Sequence, residues 1–137
     1  MTKKYQITCT EEQLWLIASA VEDWHRFLAG QTGLWNASSM LENCIELRDE
    51  LDKLQPLVTP MLGRGSSYSW NGGACPNKYQ RKAIAMSYGI YRQILHFFAA
   101  RSPKNSWNVY KGETLTCDEQ GGLIRVREEE TKEGGEE

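Results

Sequence analysis

The stretch NKYQRKAIAMSYGIYRQILHFFAAR, residues 77–101, decides how this chain is read. Asn77 is a good helix N-cap, and Ile84, Tyr88, Tyr91, Leu95 and Phe98 follow at three- and four-residue steps. That spacing predicts a long amphipathic helix with one apolar face on a core. Pro103 ends it. A second strip of the same helix carries Arg81, Ala85, Gly89, Arg92 and His96. Small residues between basic ends leave a shallow strip, which suits either bound phosphate or the close approach of another helix.

Upstream, KYQITCT (residues 4–10) alternates, with Tyr5, Ile7 and Cys9 on one face, as a half-buried strand does. Thr10 then caps a helix, with Gln13 three places on as in a capping box and Glu11 and Glu12 at its positive end. Leu14, Ile17, Val21, Trp24 and Leu28 form its predicted core stripe. Gly30 and Gly33 interrupt the chain, and a further helix is predicted over residues 35–54 from the spacing of Met40, Cys44, Leu47, Leu51 and Leu54, stopped by Pro56 and Pro60.

Downstream, Trp107 and Val109, Leu115 and Cys117, and the alternation over residues 123–126 predict short strands punctuated by Gly112, Gly121 and Gly122. The sum is an α+β domain: three main helices packed with a small antiparallel sheet from the N-terminal and C-terminal strands. Residues 1–127 form a single domain and residues 128–137 a disordered acidic tail.

Composition narrows the function classes. No apolar run approaches the roughly 20 residues of a membrane span, and the N-terminus lacks a signal core, so the chain is expected in the cytoplasm. Cys9, Cys44, Cys75 and Cys117 are scattered, and with two histidines they give no metal-ligand spacing. Net charge is -2, yet the tail alone carries six acids and one lysine, which leaves a body of net +3. Such a body suits a small anion and lacks the dense basic stripe of a duplex-DNA binder.

The long glycine-bearing loop GRGSSYSWNGGACP, residues 63–76, offers Arg64 for a phosphate and Tyr68 or Trp70 for a base face. Stacking of that kind is worth about 1–3 kcal/mol per base. The loop has no phosphate-loop order, and Trp70-Asn71-Gly72 also reads as a plain turn. His25, Arg26 and Gln31 cluster where the first helix ends, and His25 has no signature partner for base catalysis. Near the C-terminus, Thr116, Asp118 and Gln120 precede Gly121 and Gly122, whose exposed N–H groups suit either an anion nest or a hairpin turn. No catalytic motif is present, so binding without turnover is the expectation.

The order of TEEQLWLIASAVEDWHRFLAGQ, SSYSWNGG, IYRQILHFFAAR and LTCDEQGGLIRVREE resembles small phage proteins, the first family of Thoeris anti-defence proteins, over roughly residues 4–127. The resemblance implies a sponge that holds a cyclic ADP-ribose isomer made by a bacterial immune enzyme and leaves it chemically intact. It also implies homo-oligomers (dimer to hexamer) with pockets between subunits, no cofactor, and separate sites for cyclic di- or trinucleotides in some relatives. On this likeness Arg64 and Gly121 fall in segments comparable to cyclic-nucleotide contacts, and Tyr88, Arg92, His96, Thr116 and Gln120 are candidates for the ADP-ribose pocket, with Arg26 and Gln31 secondary. The alternatives are an oligomeric interaction module that inhibits a host protein, and a small nucleotide-modifying enzyme.

Overall fold

The computed structural model describes residues 2–57, 67–103 and 108–130. Two long helices dominate, α1 (Glu11–Leu28) and α4 (Lys78–Ala100), packed along one another. Between them lie α2 (Trp35–Ser39) and α3 (Cys44–Asp52), and after them α5 (Asn108–Lys111) and a 3-10 turn at Asp118–Gln120.

The helix starts follow the sequence. Thr10 accepts from Gln13 N while the Gln13 side chain accepts from Thr10 N, so both orphan donors are met. Asn77 Oδ1 accepts from Tyr79 N and Gln80 N at the start of α4. The main core joins Ala18 of α1 to Tyr88, Tyr91, Ile94 and Leu95 of α4, and Trp15 stacks on Phe98 at 4.3 Å between ring centroids.

The expected sheet is absent: among the described residues no strand forms, and the protein is helical rather than α+β. The reason differs at the two ends. Residues 2–8 are exposed, with Tyr5 84% and Ile7 82% accessible and Cys9 half-buried, so the alternation finds no neighbouring strand to complete a ladder. The C-terminal segment lies on α4 instead. Gln93 Nε2 donates to Ile124 O, a backbone group that a strand partner would otherwise take, and Gln93 Oε1 accepts from the Thr114 hydroxyl. Val109 sits in α5, and Trp107 is outside the described residues, as is the tail from residue 131.

Two helical expectations also change. The stretch 35–54 is divided, because Ser38 Oγ bonds Gly33 O and Ser39 Oγ bonds Asn36 O, and such local side-chain bonds compete with continued helix. In α1 the buried side is Ala18, Asp23 and His25, whereas Trp24 is 59% exposed and Ile17 is exposed too. The predicted stripe therefore straddles two faces. Leu16, Ala20, Trp24 and Phe27 form a second apolar face, turned away from α4.

The central loop is pinned from residue 67 on. Tyr68 is buried with Ala29, Cys75 and Ile84, and its N–H donates to Ala29 O. Gly72 has φ +70, and a Cβ there would lie 3.0 Å from Arg81 Cα. Charge is divided along the chain: residues 11–57 carry nine acids and three bases, whereas residues 67–103 carry five bases and no acid. The α4 stretch is thus basic and the α1–α3 stretch acidic along the sequence, and Arg81 of α4 pairs with Glu119.

Candidate functional site

Arg92 leaves α4 on the flank beside the core aromatics. Its guanidinium lies 4.9 Å from the Tyr110 ring of α5 and 6.0 Å from the Tyr88 ring. Trp70, from the central loop, packs on Tyr88 at 4.8 Å between centroids. Two rings from separate helices thus face one cation, and Trp70 packs against one of them. His96, one turn further along α4, donates from Nδ1 to Tyr110 O at 2.9 Å. Arg92 Nη1 and Nη2 both donate to Val109 O at 3.3 Å.

Those two bonds are long, and they share one neutral acceptor. Among the described residues no carboxylate pairs with Arg92. The guanidinium is therefore held in place by rings and a carbonyl while its charge stays uncompensated. Burial raises the Tyr110 pKa, and the negative charge of Glu22 adds to the effect. Tyr91 is raised for the same two reasons, so both phenols stay protonated at neutral pH.

A second cluster of similar chemistry lies at the end of α1. Arg26 is paired with Glu22 at 3.0 Å, donates to Gln31 Oε1 at 3.2 Å, and sits 5.3 Å from the Trp35 ring. Arg48 of α3 lies 5.4 Å from that same ring. Arg48 has no ion pair among the described residues, and its Nε is buried without a hydrogen-bond partner there. Two guanidiniums against one indole repel each other, and among the described residues the one on Arg26 is ion-paired with a carboxylate while the one on Arg48 is not.

The sequence candidates divide accordingly. Trp70, Tyr88, Arg92 and His96 come together, and Arg26 joins Gln31. Tyr68 is buried in the separate Ala29–Cys75–Ile84 cluster. Thr116 is exposed on the C-terminal segment. Arg64 lies outside the described residues. Gln120 is buried against Gly89, where an added Cβ would lie 2.7 Å from its Nε2. The shallow strip at Ala85 and Gly89 is thus occupied by the chain's own C-terminal turn. Gln120 Oε1 accepts from Cys117 N, and its Nε2 has no partner among the described residues. Gly121 adopts φ +68 in open space.

Tyr110, Trp35 and Arg48 escape the sequence reading. Tyr110 lies in a segment whose alternation suggests strand, and the two arginine–indole contacts depend on where α2 and α3 pack. His25, for which the sequence offers no catalytic partner, is buried and donates from Nδ1 to Ile84 O at 2.8 Å. Among the described residues no group of His, Cys, Asp and Glu is gathered to hold a metal, and no helix is long and apolar enough to cross a membrane.

An open groove of about 370 Å³ lies on the outer side of α1, lined by Ala20, Asp23, Trp24, Phe27, Leu34 and Ala37. Its walls are almost wholly apolar, so it is chemically unlike the arginine–tyrosine cluster. No protein-family model, no curated protein and no solved structure matches the chain.

Proposed function

We propose that this chain is a binding protein for a small phosphate-bearing nucleotide, a cyclic ADP-ribose isomer or a related cyclic oligonucleotide signal, which it sequesters unchanged in the cytoplasm of an infected bacterium. The observation that carries the reading is Arg92: a cation fixed between Tyr88 and Tyr110, lacking a carboxylate partner among the described residues, on a helix half with no acid at all.

The chemistry fits the ligand class. A diphosphate accepts from a guanidinium far better than a neutral carbonyl does, so Val109 O is readily replaced. An adenine needs a flat apolar face, which Trp70 beside Tyr88 can supply. The imidazole nearest this cluster, His96, spends Nδ1 on a backbone carbonyl, which suits holding more than proton transfer. The likeness to phage anti-defence sponges points the same way.

The test is native mass spectrometry of the full chain against a panel of signalling nucleotides, followed by heating and analysis of what is released. An adduct that releases intact nucleotide supports the proposal. A converted product would make the chain an enzyme, and no adduct with any member of the panel would overturn nucleotide binding.

A further inference from the structure

The basic flank of α4 is covered by the chain's own C-terminal segment. Arg81 Nε donates to Glu119 Oε2 at 2.6 Å, Gln93 Nε2 donates to Ile124 O at 3.0 Å, and Gln93 Oε1 accepts from the Thr114 hydroxyl at 2.7 Å. Between these anchors Gln120 is 5% exposed and lies over Gly89, where an added Cβ would be 2.7 Å from Gln120 Nε2 and 3.2 Å from Leu123 Cδ2. Arg81, Gly89 and Arg92 share one side of the helix, within an arc of about 80°.

The covering segment is lightly held. Residues 114–124 have two buried side chains, Thr114 and Gln120, and both are polar. Leu115 and Ile124 stay exposed, and the regular structure is a single 3-10 turn at Asp118–Gln120. Gln120 uses Oε1 on Cys117 N and leaves Nε2 buried without a partner among the described residues, so that amide is desolvated with no hydrogen bond in return. The Arg81 and Glu119 side chains are 33% and 37% exposed, and water weakens an ion pair in that position. Few buried apolar contacts and an unmet donor at the centre mark a segment of low local stability.

We propose that residues 114–124 are a strap that closes this flank in the free protein and lifts when a phosphate-bearing ligand binds. The inference rests on nucleotide binding at Arg92. The Glu119 carboxylate is an anion seated on Arg81 as a phosphate would be, and it yields that guanidinium to the ligand. With the strap lifted, the flank from Arg81 past Gly89 to Arg92 is one continuous basic surface. Binding then carries the cost of opening, so a change that loosens the strap tightens the complex.

The experiment uses the full chain and two uncharged substitutions away from Arg92 and its rings. Gly89→Ala drives a methyl group into Gln120, and Thr114→Val removes the bond to Gln93. Neither changes the charge, so tighter binding cannot come from relieved repulsion. Calorimetry uses inorganic pyrophosphate and cyclic ADP-ribose as probes. Labelling with N-ethylmaleimide, read by peptide mass mapping, compares Cys117 in the strap with Cys44 outside it; both are half-buried. The expected result is that probe speeds Cys117 labelling about threefold or more with Cys44 unchanged, and that both variants bind about 3- to 10-fold more tightly than the parent. A parent that binds with Cys117 labelling unchanged or slowed, or variants that bind no more tightly, would overturn the strap and leave nucleotide binding standing. Neither probe binding to the parent or to either variant would overturn the strap as well, while the wider nucleotide panel decides nucleotide binding by itself.

Discussion

The carboxylate of Asp23, in the middle of α1, closes the N-terminus of a different helix: its Oδ2 accepts from Ala37 N at 2.8 Å. Its Oδ1 accepts from Asn36 N at 2.9 Å. The residue in the cap position of α2 is Leu34, which has φ 47 and offers no side-chain oxygen. Asp23 therefore does from across the interface what a local Ser or Asp ordinarily does. It also sets where Trp35 stands. Asp23→Ala leaves two N–H groups without their acceptor and is expected to cost about 1–3 kcal/mol, measured by urea denaturation. Asp23→Asn, which keeps one carbonyl acceptor, is expected to lose less.

Arg92→Ala is expected to weaken nucleotide binding about 10- to 100-fold in calorimetry, with the helical circular-dichroism spectrum unchanged, because the side chain lies on the flank of the core. Arg92→Lys tests the fork: it keeps the charge and loses the paired donors, so recovery of most of the affinity would mean charge alone is read.

His25 makes stability depend on pH in a defined direction. Burial lowers its pKa below the ordinary 6.5, the bond to Ile84 O opposes that, and the charge of Arg26 adds to the lowering while Glu22 resists it. Above pH 6.5 the imidazole is neutral both folded and unfolded. As pH falls through 6.5 the unfolded chain takes up the proton first, so stability drops until pH passes below the lowered folded value. Thermal unfolding of the parent should weaken over that window, and His25→Gln, less stable at neutral pH, should show a flatter dependence. Parallel curves would remove His25 as the cause.

Two glycines with nearly the same φ separate strain from contact. Gly72 and Gly121 stand at φ +70 and +68, but a Cβ at Gly72 would lie 3.0 Å from Arg81 Cα and one at Gly121 meets nothing within 4 Å. Gly121→Ala is expected to cost about 1 kcal/mol and Gly72→Ala more, about 2–3 kcal/mol, by comparison of urea midpoints. Equal losses would mean that the packing against Arg81 gives way freely.

What the sequence made legible was local. Thr10, Gln13 and Asn77 announce helix starts whose bonds form within a few residues, and Ile84, Tyr88, Tyr91 and Leu95 share the buried face their spacing requires. The sheet failed because alternation describes one strand, whereas a ladder needs two, and Gln93 takes up the Ile124 carbonyl that a partner strand would need. Periodicity also could not divide the apolar residues of α1 between two faces, since Trp24 fits the arithmetic of the core stripe and points outward. Of the site, Arg92, Tyr88 and His96 were within reach because they ride on one helix. Tyr110, Trp35 and Arg48 were not, because their partners come from other elements.

The uneven placement of acids and bases has a kinetic corollary. A molecule of net charge -2 should repel a dianion, yet nine of its 18 acids lie before residue 58 and nine after residue 112, and the stretch from 67 to 103 carries five bases and no acid. The local positive charge along α4, rather than the net charge, therefore steers a dianion that approaches Arg92. Capture should therefore slow as ionic strength rises, the reverse of the trend that overall charge alone would dictate.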